Sequence, residues 1–112
     1  VSKFYCTSEQ HFDSTHLDPA HGPYVHGHRF YVKATEQGTD AGVRSDLPAD
    51  LRSVLLELDA HPLGDMLVGG VQTLDGIAAW IMERLLSRRP RLTEVEVWVD
   101  DDYHVGVVRE IR

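Results

Sequence analysis

Hydrophobic and polar positions alternate from residue 3 to residue 16, which predicts a β-strand with a bulge at Ser8–Gln10. A loop through Asp18, Pro19, Gly22 and Pro23 leads to a second strand, from Val25 to Thr35, rich in β-branched and aromatic residues. Glu36 to Ser45, with two glycines and an aspartate, reads as a hairpin-like or crossover loop. The period then changes. Leu51, Val54, Leu55 and Leu58 recur at helical spacing behind Asp46 as cap and Pro48 in the first turn. His61 to Gln72 is a loop holding Pro62, Gly64 and Gly69-Gly70. Thr73 caps a second helix whose apolar stripe is Leu74, Ile77, Ala78, Ile81 and Leu85, and Arg88 to Pro90 end it. Trp80 lies off the centre of that stripe and is expected to pack. Alternation returns at Val95, Val97 and Val99, and Val105 and Val107 follow a turn around Asp101–Tyr103. The order ββααββ implies an α+β layer, a four-stranded antiparallel sheet with two helices on one face.

At 112 residues the chain is expected to form one domain, 1–112. A sheet covered on one face only needs cover for the other, which favours an oligomer. Eleven basic against eighteen acidic residues give a net charge of -7, which argues against nucleic-acid and anionic-membrane binding. The single cysteine, Cys6, cannot form an intrachain disulfide and reads as a small buried hydrophobe. No apolar stretch approaches the roughly 18 residues of a membrane span and no signal peptide is visible, so a cytoplasmic location is expected.

Three histidines change the picture. Side chains alternate along a strand, so His26 and His28 point one way while Arg29 and Tyr31 point the other. His16 closes the first strand. If the two strands pair antiparallel, its imidazole reaches the same point. Three neutral imidazoles with an open fourth position suit catalytic zinc. A chain with seven histidines also contains a His-x-His by chance, and spacing alone leaves both readings open.

Five segments, in order and on the expected elements, resemble the 6-pyruvoyl-tetrahydropterin synthase family, which includes the queuosine-pathway 6-carboxy-tetrahydropterin synthases. Phe12-Asp13-Ser14-Thr15-His16 is similar to the family's Phe-x-x-x-His, and His26-Gly27-His28 to its His-Gly-His. Gly42 to Leu47 resembles Gly-x-x-x-Asp-Phe, and Leu58 to Leu63 resembles Leu-Asp-His-x-x-Leu. Thr73 to Ala78 resembles Thr-x-Glu-Asn-x-Ala. The resemblance implies the tunnelling fold, subunits joined in an oligomeric β-barrel (a trimer or a hexamer of two trimers), and active sites between subunits. It implies zinc at His16, His26 and His28, a small-molecule substrate, and substrate contacts at Thr73, Asp75 and Asp100.

The departures from that pattern are specific. The family's catalytic cysteine lies four residues before His-Gly-His, where this chain has Gly22, and a subgroup's glutamate falls at Pro23. The histidine expected after Asp59 is replaced by Ala60, with His61 one place later. The pterin-gripping glutamate falls at Val99, beside Asp100. Proton transfer then rests on His61 supported by Asp59, with His21, Tyr24 and a His104–Asp102 pair as further candidates. These residues lead to a zinc-dependent lyase or cyclase acting on a non-pterin metabolite. The alternatives are a conventional pterin or deazapurine-precursor synthase with relocated residues, in which Asp100 or Glu96 replaces the ring anchor, and a non-catalytic zinc-binding protein.

Overall fold

A computed structural model of the chain describes residues 3–17, 25–38, 45–61, 63 and 73–110, the side chains of residues 16, 17, 25 and 26 excepted. Strands β1 (Tyr5–Leu17) and β2 (Val25–Gln37) are followed by helices α1 (Leu47–Leu58) and α2 (Leu74–Leu86), then by β3 (Leu92–Asp100) and β4 (Tyr103–Val108). The four strands form one antiparallel sheet in the order β1-β2-β3-β4. Both helices lie on the same side of it, α1 against β1 and α2 against β3 and β4. The ββααββ order and the layer architecture agree with the sequence pattern.

Period-two alternation sorts β1 and β2 into two faces. Phe12, Phe30, Val32 and Ala34 are buried beneath the helices, and Phe12 stacks on its cross-strand partner Phe30 at 5.0 Å between centroids. Leu51, Val54, Leu55 and Leu58 of α1 meet them, as do Ile77, Ala78, Ile81, Met82 and Leu85 of α2. Full burial of each large side chain contributes about 1.5–3 kcal/mol. Cys6 is half-buried against this core, as a small hydrophobe should be. Trp80 packs at its edge, with the Arg84 guanidinium 5.6 Å from the indole centroid.

One local expectation is corrected and another is refined. β1 pairs with β2 without interruption through Ser8, Glu9 and Gln10, so there is no bulge there. Irregularities lie in β3 instead: its register with β4 shifts between Trp98 and Asp100, and Thr35 faces Glu94 while Glu36 faces Leu92, leaving Thr93 as an extra residue. That insertion changes the parity of β3, so Leu92 and Val95 both reach the core. Asp46 takes the N-cap position of α1 as expected, its carbonyl accepting the Asp50 amide at 3.1 Å, but its side chain makes no capping bond. The amide of Leu47 instead donates to the Ser45 hydroxyl at 3.0 Å, and Pro48 occupies the first turn as expected.

Ser45 belongs to a buried polar clasp at one end of the helix layer. Glu36 sits on the covered face of β2, 4 % exposed. It accepts two bonds from Arg89, Nε at 2.9 Å and Nη2 at 2.7 Å, and one from the Ser45 hydroxyl. Burial pushes the Glu36 carboxyl up, but the bonds from Arg89 and Ser45 and the Arg89 and Arg91 charges outweigh it and leave the group below its ordinary value. Arg89 also reaches Asp50 at 3.5 Å, so the clasp ties β2 to the start of α1 and the segment after α2.

The helix-free face carries a row of rings that crosses the sheet from edge to edge. His11 meets Tyr31 edge-on at 6.1 Å, Tyr31 lies near-parallel to Trp98 at 5.9 Å, and Trp98 stacks on His104 at 4.2 Å. Neither described helix is long and apolar enough to cross a membrane.

Candidate metal and proton-transfer site

The site is built on the part of the β1–β2 ribbon that outruns the rest of the sheet. β3 pairs with β2 only from Tyr31 onward, so residues 25–30 of β2 pair with β1 alone among the described strands. Within this ribbon His16 stands directly opposite His26, and His28 opposite Ser14. Positions 16, 26 and 28 therefore share one face, the one carrying Phe12 and Phe30 under the helices. Directly opposed residues have Cβ atoms about 4.5–5.5 Å apart and diagonal ones about 7–8 Å, the relations that position 16 has to positions 26 and 28. His28 is exposed and meets Phe30 edge-on at 5.9 Å. The side chains of His16 and His26 lie outside the described residues, and no cluster of three metal-ligating side chains occurs among those described.

The turn after α1 brings a further imidazole to this ribbon. The Ala60 amide donates to the Asp13 carbonyl at 2.7 Å, and the Asp13 amide donates to Asp59 Oδ1 at 2.9 Å. Ser14, buried on the covered face, donates from its hydroxyl to the main-chain carbonyl of His61. Three bonds thus lay residues 59–61 along β1. Ala60 takes a positive φ of 60° to make this turn, a conformation that costs a non-glycine residue roughly 1 kcal/mol.

An open cleft of about 460 Å³ results, lined by Asp13, Ser14, His28, Arg29, Ala60 and His61 among others. His61 is exposed in it, with Nδ1 2.8 Å from the Asp59 carbonyl. Asp13 and Arg29, opposite each other in the register, pair across the rim at 2.9 and 3.3 Å. That contact holds the Asp13 carboxyl below its ordinary value and raises Arg29.

The other sequence candidates take different places. Asp59 meets the His61 ring through its main-chain carbonyl, while its carboxylate accepts the Asp13 amide. Thr73 caps α2, accepting from the Gly76 amide at 3.3 Å, and Asp75 is exposed in the first turn. The Thr73 hydroxyl lowers the Asp75 carboxyl, burial opposes it, and the amides of Asp75 and Gly76 add lesser lowering effects. Neither residue lines the cleft. Asp100 accepts the Asp102 amide at 3.0 Å and so stabilises the β3–β4 turn. His104 pairs with Glu96, not with Asp102. Val99 packs against the core. His21, Gly22, Pro23 and Tyr24 lie outside the described residues.

Asp13, Ser14 and Ala60 were not anticipated as parts of the site. Ser14 alone left a signal, a polar residue at an inward position between Phe12 and His16.

No protein-family model matches the chain, and no curated protein sequence does. Solved structures do. The 6-pyruvoyl tetrahydropterin synthase of Plasmodium vivax superposes with a TM-score of 0.76 at 16% identity, covering 99% of this chain and 100% of that one. The Caenorhabditis elegans 6-pyruvoyl tetrahydropterin synthase gives 0.73 at 19% identity over 97% of each chain. An uncharacterised protein of Wolinella succinogenes gives 0.73 at 17% identity, covering 98% of this chain and 100% of its own. The chain has the fold of the 6-pyruvoyl tetrahydropterin synthases.

Proposed function

We propose that this chain is a zinc-dependent lyase or cyclase that acts on a small polyhydroxylated or keto metabolite other than the usual pterin triphosphate. The observation that carries the reading is the β1–β2 register. It aligns positions 16, 26 and 28 on one face, while the 59–61 turn adds His61 to the cleft that His28 lines.

The donor set fits zinc. Three imidazoles from one ribbon would leave a coordination position open to substrate, whereas a structural site is normally closed by a fourth protein ligand. Bound there, zinc supplies Lewis acidity that offsets negative charge developing on the substrate. The residues of the chain do the remainder. His61 is the proton carrier, because its Nδ1 must donate to the Asp59 carbonyl and its Nε2 is left with a lone pair. Arg29 and Asp13 shape the rim, and Ser14 keeps the turn against the strand.

A non-pterin substrate is supported by three positions. Residue 60 is alanine where the family resemblance calls for histidine, a half-buried Val99 packs against the core where the resemblance calls for a ring-gripping glutamate, and Asp100 is engaged in a turn. Without a carboxylate at position 99, a guanidine-like ring edge loses a charge-assisted two-point contact. Assembly through the β1 and β4 edges into a barrel belongs to the same proposal. It would bury the ring row of the helix-free face and set active sites between subunits. A cytoplasmic location accords with such a small-molecule enzyme.

The test is incubation of the zinc-loaded protein and its His28→Ala variant with dihydroneopterin triphosphate and with a panel of polyhydroxylated and keto compounds, products being read by mass spectrometry. Turnover of a panel compound, absent in the variant, is expected. Histidine-dependent turnover of dihydroneopterin triphosphate would restore pterin chemistry. Turnover that survives the variant would refute the zinc mechanism.

A further inference from the structure

The Asp59 carboxylate is already engaged. Its Oδ1 accepts the main-chain amide of Asp13 at 2.9 Å, while the amide of Ala60 returns a bond to the Asp13 carbonyl at 2.7 Å. Asp59 and Ala60 therefore bracket Asp13 as a neighbouring strand would, and the carboxylate oxygen stands in for a backbone carbonyl. Among the described residues, the contact from Asp59 to the His61 ring is made by its main-chain oxygen, at 2.8 Å from Nδ1. A carbonyl can only accept, so that contact requires a proton on Nδ1 and leaves Nε2 without one in the neutral ring.

We propose that Asp59 is a positioning residue. Its carboxylate pins the 59–61 turn to β1, its carbonyl selects the His61 tautomer, and it shares no proton with the imidazole. The basic group of the cleft is then a single imidazole held by main-chain and hydroxyl contacts, in place of an aspartate–histidine pair. Ala60 completes the device. Its left-handed conformation, with φ at 60°, turns the chain so that the Asp59 carboxylate meets one side of Asp13 while the His61 carbonyl meets Ser14. The conformational cost is opposed by the bonds to Asp13 and Ser14. The assignment deepens the proposed use of His61 and takes its catalytic meaning from it, but its test needs no turnover.

That test is the tautomer of His61, read from long-range 1H–15N couplings of the ring at about pH 8, where an ordinary imidazole is neutral. Hydrogen exchange of the Asp13 amide is measured on the same samples. The wild-type protein is expected to show Nδ1 protonated and the Asp13 amide protected. Asp59→Asn keeps an oxygen acceptor without charge, and is expected to preserve both signals. Asp59→Ala removes the acceptor and should speed Asp13 exchange about tenfold, the equivalent of one lost hydrogen bond. If Asp59→Ala does not fold, the wild-type and Asp59→Asn samples decide the matter alone. An Nε2-protonated ring in the wild type overturns the assignment. So does a change of tautomer in Asp59→Asn, which would show that the carboxylate charge acts directly on the imidazole. A zinc-free or inactive protein with the expected tautomer would count against the proposed function while leaving the positioning of His61 intact.

Discussion

The hydroxyl of Ser14 donates a hydrogen bond to the main-chain carbonyl of His61. Ser14 also stands opposite His28 in the β1–β2 register, so one buried side chain links a strand that carries proposed metal-site positions to the turn that carries the proposed proton carrier. Replacing Ser14 by alanine leaves the His61 carbonyl without this donor. The expected loss is about 1–2 kcal/mol in urea unfolding. His61 resonances should broaden or shift, while those of the helix core stay in place. A fully retained His61 spectrum would contradict the link.

Ala60 offers the opposite test. Glycine adopts the left-handed conformation without a Cβ penalty, so Ala60→Gly should be neutral or stabilising by up to about 1 kcal/mol, the greater freedom of its unfolded chain offsetting part of the gain. Ala60→Val should cost about 1–2 kcal/mol, because a β-branched residue tolerates this region poorly. Thermal unfolding of the two variants checks the ordering.

The Glu36–Arg89–Ser45 clasp sets an acid limit on stability. The Glu36 carboxyl lies below its ordinary value in the folded chain, so its contribution is present above the unfolded carboxylate pKa of about 4.3. It is lost as pH falls through the lower, folded value. Unfolding free energy measured against pH should decline below about pH 4, and Glu36→Gln should flatten the part of that decline due to this group. Arg89→Ala strands a buried carboxylate. With Arg89 itself partly solvated, a cost near 2–3 kcal/mol is expected in denaturant unfolding at neutral pH.

Thr73 separates a capping role from a substrate contact. As the cap of α2 it donates nothing to the cleft, so Thr73→Ala should lower stability by about 1 kcal/mol and leave zinc content unchanged. A marked rise in KM for an identified substrate, with stability unaltered, would return Thr73 to the binding site.

Local periodicity carried the elements and put positions 26 and 28 on one face, because a strand's two-residue repeat is visible without any tertiary knowledge, while position 16 joins them only through the β1–β2 pairing. What it missed was settled at a distance. Ser8 to Gln10 is polar and looks irregular in isolation, yet β2 pairs with it in register. The insertion at Thr93 has no mark of its own, since Leu92 and Val95 read equally well with either parity until Glu36 and Thr35 face them. Asp46 takes the N-cap position, but the Leu47 amide finds its acceptor in Ser45, which the buried Glu36 and its partner Arg89 hold. Asp13, Ser14 and Ala60 meet only when α1 packs on β1. The role of the Asp59 carboxylate was hidden for the same reason, since its partner amide lies 46 residues away.

The central claim is most directly tested by zinc stoichiometry, measured by elemental analysis on the purified wild-type protein and on His16→Ala, His26→Ala and His28→Ala. One zinc per chain in the wild type, lost or greatly weakened in every variant while circular dichroism stays native, is the predicted result. A metal-free wild type after zinc loading, or zinc retained in all three variants, would contradict the account.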